Sequence, residues 1–439
     1  MKKSSSLVAD PKRLPVIVRG ARTPFLDTGG KFSSLMSYEL GAKAIAGVIE
    51  KSGIDGGCVD MVCMGTVVHE TETSNVAREC MLNAGLPSTT PAYTVSMAGL
   101  SPNVAVANLC DMILLGRIEV AVAGGTESFS DIPVRLSQTL RRSVMRLNQD
   151  SSAATVLSIL KSLRPRDLLP KMPTGTDFTT RKTMGALCER MVEKYGSTRA
   201  ESDAFAVRSH QLASQAWEQG NYDADIVPVH VSGQAQPVTR DNSVRADASL
   251  EKLGRLKPVF NKRSGIVTAG NSSRLTDGAA ALLLTSLGAA ERMQLTPLAA
   301  VRDYVLAGTA DLNDEMLLGP AMAIPRLLRR NGLSVDDIDV WELHEAFAAQ
   351  ILVNQVCLGS ADFAKQRHAM EQAVGAIPLE KLNTWGGSLA LGNPFSATGV
   401  RLLTTAAHRL QQGNGRYAII SSCAGGGLGA AILLERMTG

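Results

Sequence analysis

Gly415-Arg416-Tyr417-Ala418-Ile419-Ile420-Ser421-Ser422-Cys423-Ala424-Gly425 near the C-terminus has an early counterpart in Gly116-Arg117-Ile118-Glu119-Val120-Ala121-Val122-Ala123-Gly124-Gly125. Each segment runs Gly-Arg, then an apolar strand, then small residues, and each follows an Ala-rich or Leu-rich helical stretch. Two such segments imply a duplicated α/β unit. Units related by a pseudo-twofold would bring their strand ends, and any active site, to the junction between them.

Working outward, Leu14 to Arg19 reads as a buried strand, Met36 to Lys51 as a helix, Val59 to Gly65 as a strand and Asn75 to Ala84 as a helix. This alternation specifies an α/β layered fold. From Ser130 to about Leu256 the chain is more polar, with basic clusters and helical segments such as Ser202 to Gln219. Strand-and-glycine character resumes at Gly265 to Ser273, and a second α/β stretch begins near Ala299. The expected organisation is an N-terminal half over 1–129, an inserted loop or lid domain over 130–256, completion of the first half over 257–290, and a second half over 291–439.

Bulk properties agree with a globular chain of more than one unit. Its 439 residues are 45% hydrophobic, 20% charged and only 4% aromatic, with 40 glycines. Small residues let helices sit close on a sheet. A net charge of +4 gives no case for nucleic acid. Seven dispersed cysteines without metal-site spacing read as reduced thiols in a cytoplasmic protein, with no metal expected. Met1 to Pro15 lacks the apolar stretch of a signal peptide.

Three late segments combine glycine-rich backbone with chemically useful side chains. His344, in Trp341-Glu342-Leu343-His344-Glu345-Ala346-Phe347, lies just after the expected strand Ile338 to Trp341. It is placed for acid–base or oxyanion work, or is a histidine hydrogen-bonded within a packed loop. Trp385 to Gly399 is a glycine-rich loop entering an expected helix Val400 to Leu410. It exposes backbone N–H groups to a ligand, or is a turn packing helix on sheet, and it lacks a phosphate-loop lysine. Cys423, flanked by small residues at a strand end, meets substrate or is a structural cysteine.

Taken together, His-Glu-Ala-Phe at 344–347, the Gly386 to Gly399 loop and Cys-Ala-Gly-Gly-Gly at 423–427 resemble the thiolase family. The resemblance extends over nearly the whole chain, through Arg22-Thr23-Pro24-Phe25, Ala123 to Ser128, Val267 to Ser273 and Leu275 to Ala279. The His-Glu-Ala-Phe spelling and Leu317-Leu318-Gly319-Pro320 are most similar to the thiolase subunits of fatty-acid oxidation complexes. It implies the thiolase fold, a duplicated five-layered α-β-α-β-α architecture with an inserted loop domain.

Thiolases cleave 3-ketoacyl-CoA with free CoA, or run the reverse condensation, through a cysteine acyl-enzyme. A histidine in a Gly-His-Pro motif activates that cysteine, and a second cysteine moves the α-carbon proton. Cys423 matches the second cysteine, and His344 the residue that helps bind an oxyanion. By the same resemblance Ser273 matches a position contacting the pantetheine arm, Phe347 is expected to line the acyl pocket, and Gly425 is expected to bind substrate. At the other two catalytic positions the chain departs: Gly99 stands at the nucleophile and Asn393 at the Gly-His-Pro histidine.

Glycine forms no acyl-enzyme, and an amide accepts no proton near neutral pH. The expectation is therefore an acyl-CoA-handling relative of acetyl-CoA C-acyltransferase with ordinary thiolysis disabled. The alternatives are enolate chemistry on a CoA thioester (decarboxylation or 3-ketoacyl-CoA hydrolysis) through His344, Asn393 and Cys423, or a non-catalytic CoA-ester-binding or scaffolding subunit. No cofactor is implied beyond coenzyme A thioester as substrate or ligand. Implied partners are further copies of the chain, as a homodimer or tetramer, and a hydratase/dehydrogenase subunit.

The stretch 139–173 interleaves Arg141, Arg142, Arg146, Lys161, Arg164, Arg166 and Lys171 with valines, leucines and an isoleucine. It reads as a lid whose apolar face covers the cleft, or as a peripheral contact with an anionic membrane or a partner.

Overall fold

The strands of the sheet are short runs of Val, Ile, Leu and Ala, residues that pack well on a pleated, buried surface. In the computed structural model, which describes residues 10–171 and 175–437, ten strands form. They are β1 (Pro15–Arg22), β2 (Leu26–Asp27), β3 (Met61–Gly65), β4 (Ala92–Val95), β5 (Val120–Glu127), β6 (Thr276–Ser286), β7 (Ala299–Gly308), β8 (Val340–Leu343), β9 (Tyr417–Ala424) and β10 (Leu428–Arg436). Met1 to Ala9 of the N-terminal reading, and Met172 and Pro173 of the basic stretch, lie outside the described residues.

The sheet order is β4-β3-β5-β6-β1-β7-β10-β9-β8, with β2 beside β6. Two residue pairs, Val16 with Ala300 and Ile17 with Ala299, join the halves. The duplication is visible in the pairing. β5 is parallel to β3 and antiparallel to β6, while β9 is parallel to β8 and antiparallel to β10. The two opening segments thus occupy equivalent strands.

Side-chain alternation along the strands separates three cores. Val62, Met64, Val120, Val122 and Leu283 face outward to the helix Ser37–Ser52 and the helix Val76–Asn83. Cys63, Ala121, Ala123, Leu282, Ile420, Ile432 and Leu434 share a central core with Val106, Leu109, Val400 and Leu403. Trp341, Leu343, Ile419 and Leu433 face the helices Gly319–Asn331 and Ala348–Leu358. The middle layer is the helix pair Ser101–Leu114 and Phe395–Gly413, the second of which contacts strands of both halves. Five layers follow: helix, half-sheet, helix, half-sheet, helix.

Three expectations need correction. Gly265 to Ser273 is a loop, because Asn271 binds its own segment: Thr268 N–H donates to Asn271 Oδ1 at 2.7 Å and Asn271 Nδ2 donates to the Ile266 carbonyl at 2.9 Å. The sheet resumes only at Thr276. The late helix begins at Phe395, ahead of Val400, since Pro394 sits at its N-cap where no N–H is needed. A short helix, Ser388–Leu391, interrupts the glycine-rich loop.

The basic stretch stands largely open to solvent. The helices Gln138–Gln149 and Ala153–Ser162 each bury a single residue, Ser143 and Ile159. Met145, Leu157, Leu160, Leu168 and Leu169 are 54–67% exposed. The excursion is closed at its base by Arg135 N–H to Lys171 O at 3.1 Å, and its helices pack on each other. Among the described residues, no helix is long and apolar enough to cross a membrane.

Candidate functional site

Adjacent strand ends assemble the site. Leu343 pairs with Ser421 in the β8–β9 register, and the next residue, His344, donates its N–H to Ser421 O at 2.9 Å. Cys423 lies two residues further along β9, opposite Gly429 of β10. The start of the helix Gly319–Asn331 presses on this spot, and a Cβ at Gly319 would come within 3.1 Å of Cys423 Cα. The Cys423 thiol is buried, which pushes its pKa up to about 12. At neutral pH it is an un-ionised thiol, able to donate a proton but not a ready thiolate.

Gly99 reaches the same spot from the other half. It lies between β4 and the helix Ser101–Leu114, in a turn held by the Ser101 hydroxyl. That hydroxyl accepts Met97 N–H at 2.8 Å and donates to Ala98 O at 2.6 Å. A Cβ on Gly99 would meet Ala424 Cβ at 3.7 Å and Cys423 O at 3.9 Å, ordinary van der Waals contacts. Neither space nor backbone demands glycine here, for the left-handed residue of the turn is Ala98, with φ 48°. The absence of a side chain at 99 is a chemical fact without a packing cause.

His344 is buried, and its Nδ1 sits 2.9 Å from Ser388 Oγ. Burial first, then the charge of Arg401, lowers its pKa to about 3. Its neighbour Glu345 is fully buried, accepting from Asn383 Nδ2 at 2.6 Å, Ser209 Oγ at 2.7 Å and Leu389 N–H at 3.2 Å. His344 and Glu345 therefore grip consecutive residues of the 387–391 segment. Folding withholds a proton that the unfolded histidine would take up below its ordinary value of 6.5. Stability is full above pH 6.5 and falls by about 1.4 kcal/mol per pH unit as pH drops toward 3. His344→Gln is expected to flatten that slope, read by urea unfolding across pH; an unaltered slope would contradict a buried neutral imidazole.

Asn393 is 5% exposed and tied to its surroundings at three points. Its N–H donates to Arg274 O at 2.9 Å, its Oδ1 accepts from Thr398 Oγ1 at 2.9 Å, and its Nδ2 makes a long 3.5 Å contact with Ser273 Oγ. Ser273 N–H donates to Ala346 O at 2.9 Å, so the loop before β6 lies along the His-Glu-Ala-Phe segment. Phe347 is half-buried and meets Phe260 edge-on at 6.4 Å between ring centres. Gly425 is half-buried, with Met184 the nearest side chain to its face. Gly99 and Cys423 are thus brought together, as are Asn393 and Ser273, while His344 is held by Ser388.

Two features escaped the sequence reading. Ser388 and Arg401 hold His344, although Ser388 was visible within the glycine-rich loop. A cavity of about 350 Å³ adjoins Ser272 and Leu389, and His210, Arg245, Lys252 and Arg274 line it. Its cations come from the polar insertion and from the loop before β6, and no local motif joins them.

A five-layered duplicated fold, with His344 and Cys423 at adjacent strand ends and Cys423 beside a turn from the opposite half, defines a thiolase-type scaffold. Residues 15–287 match the thiolase N-terminal domain and residues 295–436 the thiolase C-terminal domain; the chain belongs to the thiolase family. It is 43% identical over 434 residues to the mitochondrial trifunctional enzyme subunit beta of Rattus norvegicus, covering 99% of this chain and 90% of that protein. It is 39% identical over 419 residues to a 3-ketoacyl-CoA thiolase of Klebsiella pneumoniae, covering 95% and 96%. The crystal structure of human mitochondrial 3-ketoacyl-CoA thiolase in complex with CoA superposes with a TM-score of 0.81 at 28% identity, covering 98% and 99%.

Proposed function

We propose that this chain binds 3-ketoacyl-CoA thioesters of fatty-acid oxidation and that ordinary thiolysis through a covalent acyl-enzyme is absent. The observation that carries the reading is Gly99, whose position beside Cys423 and Ala424 has room for a side chain and bears none. Asn393 supports it, because its amide cannot serve as the base for an attacking thiol. The cavity beside Ser272, lined by Arg245, Lys252 and Arg274 against the single carboxylate of Asp247, carries a net positive charge that suits the phosphates of CoA. Relatives named for 3-ketoacyl-CoA support the acyl class.

On this reading His344 supplies a neutral N–H toward the thioester oxygen, Cys423 is the proton donor at the α-carbon, and Ser273 and Phe347 line the approach. Enolate chemistry, as decarboxylation or hydrolysis, is the activity these groups would retain. The test offers acetoacetyl-CoA and a longer 3-ketoacyl-CoA, with and without free CoA, followed by mass spectrometry. Binding without CoA-dependent cleavage and without an acylated protein is expected. CoA-dependent cleavage by the unmodified chain refutes the reading.

A second role rests on the excursion 135–171. Its exposed leucines alternate with exposed Arg141, Arg142, Arg146, Lys161, Arg164 and Arg166, a pattern that fits an anionic membrane surface. Similarity to the beta subunit of a trifunctional enzyme supports assembly with further oxidation subunits, a hydratase/dehydrogenase among them on this reading. Flotation with anionic vesicles is expected to carry the protein upward. Leu157→Glu with Leu160→Glu should reduce the floated fraction several-fold, and equal flotation of both proteins would eliminate the membrane contact.

A further inference from the structure

Ser388 is completely buried and has two polar neighbours. Arg401 Nη2 donates to its Oγ at 2.9 Å, and His344 Nδ1 lies 2.9 Å from the same oxygen. A hydroxyl has one hydrogen to give and two lone pairs. The guanidinium has no acceptor, so it fills one lone pair whatever the histidine does. If Nδ1 carried the histidine's proton it would fill the other, and the hydroxyl hydrogen would be sealed in the core without an acceptor.

Leaving such a group unmade costs about 1–3 kcal/mol. If Nδ1 is bare, the hydroxyl hydrogen points to it, and both the Ser388 hydroxyl and Nδ1 are satisfied. The second arrangement places the imidazole proton on Nε2. Among the described residues, Nε2 has no protein partner, yet it is not sealed from solvent. A ring held this way offers one fixed donor outward.

We propose that Arg401 and Ser388 are positioning residues that lock His344 in its Nε2–H tautomer, so that the ring presents a preset donor to the carbonyl oxygen of a bound thioester. The tautomer follows from the hydrogen-bond inventory; its use on a thioester rests on the 3-ketoacyl-CoA reading above. Preset donors stabilise developing oxyanion charge because no reorganisation is needed when the charge appears. The surrounding segment is built to hold the lock. Leu389 N–H is anchored on Glu345, and Gly387 lies so close to the Glu345 carboxylate that a Cβ there would strike it. Arg401 is itself fixed, 99% buried and 3.6 Å from Glu342.

The test uses the full-length chain, deuterated except at the carbon-bound ring hydrogens of its six histidines, whose rings carry ¹⁵N. Two-bond ¹H–¹⁵N correlations distinguish protonated from bare ring nitrogens, and His344→Gln assigns the His344 signals by their loss. At pH 7 the wild-type ring is expected to show a protonated Nε2 and a bare Nδ1. Ser388→Ala is expected to release a substantial Nδ1–H population, and Ser388→Thr to restore the lock. A protonated Nδ1 in the wild type overturns the proposal, as does an unchanged tautomer in a Ser388→Ala protein whose other five histidine signals keep their native positions. If Ser388→Ala fails to fold, the wild-type and Ser388→Thr spectra decide. Saturating acetoacetyl-CoA is expected to shift the Nε2–H resonance. A locked Nε2–H that stays put while acetoacetyl-CoA binds overturns the thioester contact and leaves the tautomer assignment standing.

Discussion

Introducing Gly99→Cys together with Asn393→His is expected to raise CoA-dependent cleavage of acetoacetyl-CoA on the order of 10³-fold or more over the unmodified chain. Position 99 accepts the side chain, since its Cβ would rest 3.7 Å from Ala424 and 3.9 Å from Cys423 O. An imidazole at 393 would enter a site where Thr398 Oγ1 already donates to the residue's side chain at 2.9 Å. A nucleophile and its base act as one unit, so the two single variants should each recover little. Mass spectrometry should find an acyl adduct on the new cysteine in the double variant. Should the double variant bind acetoacetyl-CoA and still leave it intact, some further element of the reaction is missing and Gly99 is not the cause.

The second large effect concerns the seam between the body and the long excursion from β5 to β6. Arg22, at the end of β1, makes two bonds to Asp241 at 2.7 and 2.9 Å, and Phe25 N–H donates to the same carboxylate at 2.7 Å. Both side chains are essentially buried, at 3% and 0% exposure. Removing one member of such a pair strands the other charge in the core. Asp241→Ala is expected to lower unfolding stability by about 3–5 kcal/mol, measured by urea denaturation. A loss under about 1 kcal/mol would mean that the carboxylate is not the counter-ion Arg22 depends on.

Much of the fold was legible because repetition is a strong signal. The matched Gly-Arg segments identified β5 and β9 as equivalent, and the pairing bears this out strand by strand. The five layers came from the family resemblance, and the three separate cores agree with it. Boundaries were legible less well where side chains replace backbone partners. Asn271 turned an apparent strand at 265–273 into a loop by satisfying Thr268 N–H with its own amide. Pro394 hid a helix start, because proline reads as a breaker unless it stands at the first turn.

The site divides in the same way. Gly99, Asn393, His344 and Cys423 were readable as departures from, or agreements with, a known pattern at fixed spacing. The Ser388–Arg401–His344 contact was not, because it joins a strand end, a loop and a helix interior whose proximity exists only after folding. What covers the basic stretch was not legible for a different reason. Amphipathic periodicity says that a helix has an apolar face, but not whether the protein covers it. Here Leu157 and Leu160 remain 54% and 64% exposed.

Ala98 holds its backbone at φ 48°, a conformation that costs an alanine roughly 1–2 kcal/mol. The turn thus keeps a strained residue directly before position 99, whose missing Cβ would point to Ala424 and the Cys423 carbonyl. Such a turn is a ready mounting point for chemistry of choice. A selenocysteine, a serine or a clickable residue installed at 99 would arrive with its Cβ against Ala424 and the Cys423 carbonyl, on a backbone already bent to receive it.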